Sequence, residues 1–110
     1  MLKRVKRRYL ALQIESAEKF SSKEFTDNVW NAILKLYGEY GASQTGLSLI
    51  DYDDDKQLAI VRVSHTALKM VRASLATITR ISDKPASIHV LAVSGTIKAL
   101  HKKLSIHRNA

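Results

Sequence analysis

The chain has 110 residues and 45% hydrophobic content, enough for one core and one domain but not for a core plus a deep enzyme cleft. It has no cysteine, which excludes disulfides, thiolate metal sites and cysteine nucleophiles. Its formal net charge is +8, and that charge is segregated along the chain. Residues 1–8 carry +5, residues 9–55 carry −6 and residues 56–110 carry +9. Such segregation predicts a strongly positive surface region and points to a polyanionic partner such as RNA, DNA or an anionic membrane.

The basic start, residues 1–8, reads as an N-terminal arm that orders on binding. The apolar stretch behind it ends at Gln13 and Glu15, too short for a signal peptide or a bilayer span. The sequence therefore reads as a soluble, cytoplasmic protein. Residues 9–14 predict a first strand, with Leu10, Leu12 and Ile14 on one face.

Ser21 and Glu24 have the spacing of a capping box and predict a helix start. Phe25, Val29, Ile33, Leu36 and Tyr40 form that helix's apolar stripe, widened by Trp30 and Leu34 and flanked by Tyr37. The tyrosines and Trp30 read as core, and Gly38 or Gly41 ends the helix.

A second strand is predicted at about residues 45–52 and a third at 58–63, joined by a polar hairpin turn over 51–57. A second helix is predicted over 66–81, capped by Thr66 or Ser64, with Leu68, Val71, Leu75 and Ile78 inward. Residues 82–85 break the chain, and a fourth strand covers 87–94. Gly95 and Thr96 open a terminal helix bearing Ile97, Leu100 and Leu104, with residues 105–110 fraying.

The order β-α-β-β-α-β-α predicts an α+β fold: a ferredoxin-like or RRM-like sandwich, with a four-stranded antiparallel sheet and an extra C-terminal helix. The third and fourth strands are apolar on both faces, so both faces must be covered. Two helices cover one. The terminal helix, a partner chain or both cover the other, and Ala59, Val61, Val63, Ile97 and Leu100 are the expected partner contacts.

No catalytic constellation emerges. The third strand lacks the aromatics on which RRM domains stack bases, so RNA contact is expected through Lys and Arg to phosphates and shape. Asp51, Asp53, Asp54 and Asp55 lie on one turn beside Lys56 and read as a solvated hairpin, not a metal site. The four histidines are scattered without ligand spacing, and no serine has a nucleophile-elbow context. Ser94-Gly95-Thr96 could hold a phosphate at a helix start, but simple capping is the preferred reading. An acylphosphatase-like activity fails because Asn28, Asn31 and Asn109 are poorly placed for it.

Five stretches carry a family resemblance. They are Lys6-Arg7-Arg8-Tyr9-Leu10, Val29-Trp30-Asn31-Ala32 with Tyr37-Gly38-Glu39-Tyr40-Gly41, Ala59-Ile60-Val61-Arg62-Val63, and Val93-Ser94-Gly95-Thr96-Ile97-Lys98-Ala99-Leu100. In order and spacing they resemble the archaeal ribonuclease P protein component two family, also called the Pop-five family, over roughly residues 3–104. The resemblance implies an RRM-like subunit of the ribonucleoprotein that removes 5′ leaders from precursor tRNA. There a catalytic RNA performs the chemistry with Mg²⁺ that it binds itself, and the protein needs no cofactor. It further implies pairing with a TIM-barrel-like component three, assembly into a heterotetramer, and action on the RNA's catalytic domain.

The candidate phosphate contacts are Lys3, Arg4, Lys6, Arg7, Arg8, Lys69, Arg72, Arg80, Lys98, Lys102 and Lys103. Lys69, Arg72 and Arg80 are expected to share the outer face of the second helix. The competing expectation is a ferredoxin-like module that binds only protein.

Overall fold

The computed structural model of the chain describes residues 6–108, with side chains through residue 105. Lys3, Arg4 and Asn109 lie outside the described residues. Strand β1 spans Arg7–Glu15, helix α1 Ser22–Ser43, β2 Ser48–Asp53 and β3 Leu58–Ser64. A 3₁₀ turn, His65–Ala67, leads into α2, Leu68–Ala76. A small hairpin of β4, Arg80–Ile81, and β5, Lys84–Pro85, precedes β6, Ser87–Ser94, and α3, Ile97–Arg108. The main sheet has the order β2-β3-β1-β6, antiparallel throughout. This is the expected ferredoxin-like arrangement. No helix among the described residues is long and apolar enough to cross a membrane.

The sheet divides the apolar side chains between two clusters. Leu10, Leu12, Ile14, Ala59, Val61, Val63 and Ile88 point to one face and pack under Phe25, Val29, Ile33, Val71 and Leu75 of α1 and α2. On the other face Ala11 and Ile60 are closed by Leu100 and Leu104 of α3. Ala59, Val61 and Val63 are thus core residues beneath two helices, not the partner contacts expected for them. Leu100 is fully buried within the chain, and Ile97 alone of that group is partly open. The register of β3 turns Ala59, Val61 and Val63 toward α1 and α2, and on the other face α3 buries Leu100 against Ala11 and Ile60.

The start of α1 forms as its sequence dictates. Ser21 Oγ accepts from the Glu24 amide at 3.1 Å, and Glu24 Oε1 accepts from the Ser21 amide at 3.0 Å. That hydrogen bond holds the Glu24 carboxyl below its ordinary value of 4.5. A depressed carboxyl stabilises the fold above its unfolded pKa, so this contribution fades as pH falls through the acid range below 4.5. Ser21→Ala is expected to cost about 1 kcal/mol, read from the midpoint of denaturant unfolding.

Gly38 ends the straight part of α1. Its φ of 72° and ψ of −178° occupy a region that is essentially glycine-only, and the helix kinks there. The kink turns Tyr40 out to 81% exposure, and Trp30, Leu36 and Tyr37 are also exposed. The predicted stripe therefore holds for Phe25, Val29 and Ile33 and fails beyond them. A Cβ at Gly38 would meet nothing within 4 Å, so Gly38→Ala costs backbone strain alone. The expected loss is about 1–3 kcal/mol by the same unfolding measurement.

Other differences are local. The predicted helix over 66–81 is shorter, because the chain leaves the helix at Thr77 and Arg80 enters β4. Neither Ser64 nor Thr66 caps it: the 3₁₀ turn and α2 begin without a side-chain cap. Helix α3 continues to Arg108, so residues 105–108 of the segment expected to fray are helical. Lys6, Arg7 and Arg8 are not a loose arm. Arg7 and Arg8 pair with Ser64 and Val63, and the Lys6 carbonyl accepts from the His65 amide at 2.8 Å.

Candidate nucleic-acid interface

Antiparallel pairing places the start of β1 beside the ends of β3 and β6, with Arg7 opposite Ser64 and Tyr9 opposite Ser94. Both following helices start at this same end of the sheet. Lys6, Arg7, Arg8, His65, Lys69 and Lys98 gather there, the last two in the first turns of α2 and α3. Neither helix has an acidic residue in its first turn.

A helix start carries partial positive charge and favours carboxylates. Cations at two such starts oppose local stability, and an external anion would reverse that sign. Arg8 emphasises the point. Its Nη1 lies 3.6 Å from where a Cβ on Gly95 would sit, just ahead of α3, and donates to the Arg7 carbonyl at 3.0 Å. Thr96 Oγ1 accepts from the Ala99 amide at 3.1 Å, so the preferred capping reading at α3 is the observed one.

The carboxylates that end β1 and form the β2–β3 turn occupy the opposite end. Glu15 closes β1, and Asp53, Asp54 and Asp55 form the β2–β3 turn. The three side-chain ion pairs found among the described residues all lie here: Lys19–Asp55 at 2.9 Å, Lys84–Glu18 at 3.8 Å and His89–Glu15 at 2.8 Å. The hydrogen bond from Lys19 to Asp55 raises the lysine pKa. The cations at the other end have no carboxylate partner among the described residues.

The carboxylates of Asp53, Asp54 and Asp55 lie within 4.8 Å of one another. Asp53 Oδ1 accepts from the Lys56 amide at 3.1 Å, and Asp55 is held by Lys19. Turn formation and an ion pair thus account for two of the three. A groove of about 330 Å³ between this hairpin and α3 is lined by Asp51, Asp53, Lys56, Leu58, Ile60 and His101, among others. It mixes opposite charges without a nucleophile aligned to a base.

The candidate contacts separate into groups. Lys6, Arg7, Arg8, Lys69 and Lys98 converge at the cationic end. Arg72 lies one turn along α2 from Lys69, and both are exposed. Lys102 is exposed on α3, whereas Lys103 Nζ donates to the Val93 carbonyl at 2.6 Å and helps dock that helix. Arg80 does not share the outer face of α2. It sits in β4 beyond the helix, where Nη2 donates to the Asp83 carbonyl at 3.0 Å. The sequence favours reading His65 as an ordinary histidine, and its place beside Lys6 becomes visible only once the register of β1 against β3 is fixed.

Comparison with known proteins agrees with this architecture. The family model described as Rpp14/Pop5 matches residues 8–105. "Ribonuclease P protein component 2" of Methanosarcina mazei is 38% identical over 100 residues, covering 91% of this chain and 84% of that protein. The protein of the same name from Pyrococcus furiosus is 37% identical, covering 91% and 83%. Among solved structures, a chain in the cryo-EM structure of yeast ribonuclease MRP superposes with a TM-score of 0.72 at 19% identity. That match covers 99% of this chain and 95% of the other, and it shows a shared fold.

Proposed function

The chain belongs to the Rpp14/Pop5 family, and from that premise we propose that it is a protein subunit of ribonuclease P that binds the catalytic RNA and contributes no catalytic group of its own. The observation that carries this reading is the set of carboxylate-free cations at one sheet end, set against two helix starts without acids. Phosphates of folded RNA supply the missing negative charge. By neutralising phosphates where RNA helices crowd, the protein stabilises the RNA's catalytic domain and lowers its demand for Mg²⁺. The Mg²⁺ of the reaction belongs with the RNA, and 5′ leader removal from precursor tRNA is the activity of the assembly.

Protein partners belong to the same proposal: a TIM-barrel-like component three, and a second copy of each chain in a heterotetramer. The apolar surface available to them is Trp30, Leu36, Tyr37 and Tyr40 on α1, not the sheet face expected from sequence.

The test compares two variants of equal charge change, using filter binding to an in vitro transcribed ribonuclease P RNA. Arg7→Glu with Arg8→Glu is expected to weaken binding by about a hundredfold. Lys19→Glu with Lys84→Glu, at the acidic end, is expected to change it less than about threefold. Equal losses would show that only net charge matters and would remove the site. The purified protein alone is expected to leave precursor tRNA uncut.

A further inference from the structure

Arg62 stands on β3, on the sheet face that α3 crosses. Register sets its neighbours: Tyr9 of β1 and Ser48 of β2 lie directly opposite it. Helix α3 packs on Ala11, Ile60, Leu91 and Ala92, and the partly buried Tyr9 packs against the same cluster. Arg62 lies one alternate position beyond Ile60 along β3, toward the cationic end of the sheet.

The Nε of Arg62 is buried and has no hydrogen-bond partner among the described residues. The side chain as a whole stays partly exposed. The nearest carboxylate by register, Asp51, pairs with Ile60 one step down the strand. It makes no ion pair with Arg62, and its Oδ1 accepts from the Tyr52 amide at 2.9 Å. A buried guanidinium donor without an acceptor costs stability, and such groups in folded proteins call for an explanation.

Because Nε itself is closed to solvent, a ligand would meet the terminal nitrogens at the partly exposed end of the guanidinium, and the surroundings say what kind of ligand suits them. Alternation along β1 places Arg7 on the same face as Tyr9, and Lys98 opens the helix that crosses this face. Tyr9 and Ser48 add hydroxyls. Arg62 therefore stands between two hydroxyl-bearing residues on the face that also carries Arg7, and the patch runs toward the cationic sheet end. Building on the RNA-binding reading above, we propose that Arg62 anchors a phosphodiester subsite on the open sheet face, flanked by Tyr9 and Ser48. RNA then runs from the sheet end onto the face beside α3. Its backbone is gripped there without any base stacking. The planar fork of arginine suits a phosphate better than the point charge of lysine does.

The experiment measures thermal unfolding and RNA affinity of Arg62→Met and Arg62→Lys. The probe is an in vitro transcribed ribonuclease P RNA, titrated between about 50 and 200 mM salt. Arg62→Met is expected to melt at or above the unmodified protein, because a buried Nε without a partner is replaced by an apolar chain of similar length. It is expected to bind RNA about tenfold more weakly, with a log–log salt slope smaller by about one. Arg62→Lys is expected to keep the slope and recover part of the affinity.

A lower melting temperature with unchanged slope would make Arg62 a structural residue, paired in solution with Asp51, and would overturn the subsite. Unchanged stability and unchanged RNA binding would overturn it too, including the case where association with a protein partner is lost instead. If the unmodified protein itself binds RNA with a flat salt dependence, the broader RNA reading falls, whatever Arg62 does.

Discussion

Raising the salt from about 50 to 200 mM is expected to weaken binding to ribonuclease P RNA by about a thousandfold. The figure follows from six phosphate contacts, each releasing counterions from the RNA. Six is the number of cations that the fold brings together at one sheet end: Lys6, Arg7, Arg8, Lys69, Lys98 and, from the open face, Arg62. These groups have no carboxylate partner among the described residues, so little internal attraction must be broken before they meet phosphate. A plot of log K against log salt with slope near zero would refute the proposal. A slope that shrinks by about one for each neutralised cation would assign the contacts individually.

The second large effect concerns α3. Its hold on the sheet rests on a cluster in which Ala11, Ile60, Leu100 and Leu104 are the fully enclosed members, with Lys103 bonded to the Val93 carbonyl. Leu100 is 0% exposed. Leu100→Ala is expected to cost about 2–5 kcal/mol by cavity formation. Leu100→Asp goes further, since a carboxylate cannot remain in that cluster unpaired. The helix should undock while the larger core under α1 and α2 stays folded. Hydrogen exchange would then show protection lost across residues 97–108 and retained in β1 and β3. Loss of protection throughout would show that the two clusters form one cooperative unit. RNA affinity should fall with undocking, because Lys98 and Lys102 leave their places.

The legible parts of the sequence were those set by local chemistry. The capping box at Ser21 and Glu24, the alternation in β3 and the limits of β6 follow from near neighbours, and the structure matches them. The misreadings arose where distant residues decide. Leu36 and Tyr40 carry the right period for a core stripe, but the kink at Gly38 and the end of the neighbouring layer leave them exposed. Ala59, Val61 and Val63 looked like partner contacts because periodicity shows that a face is apolar without showing which helix covers it. Arg80 lay in register with a helix that ends four residues earlier. As for the candidate interface, charge counting shows which segments are basic. Only the pairing of β1 between β3 and β6 joins the two segments into one surface, and only that pairing singles out Arg62.

The separation of acid and base along the strands gives the molecule a permanent electric axis. In the field of a large polyanion such an axis experiences torque before any contact forms. The protein would rotate during approach, leading with Lys6 to Arg8 and trailing Asp53 to Asp55, so that few encounters arrive the wrong way round. Salt should therefore slow arrival far more than it hastens departure.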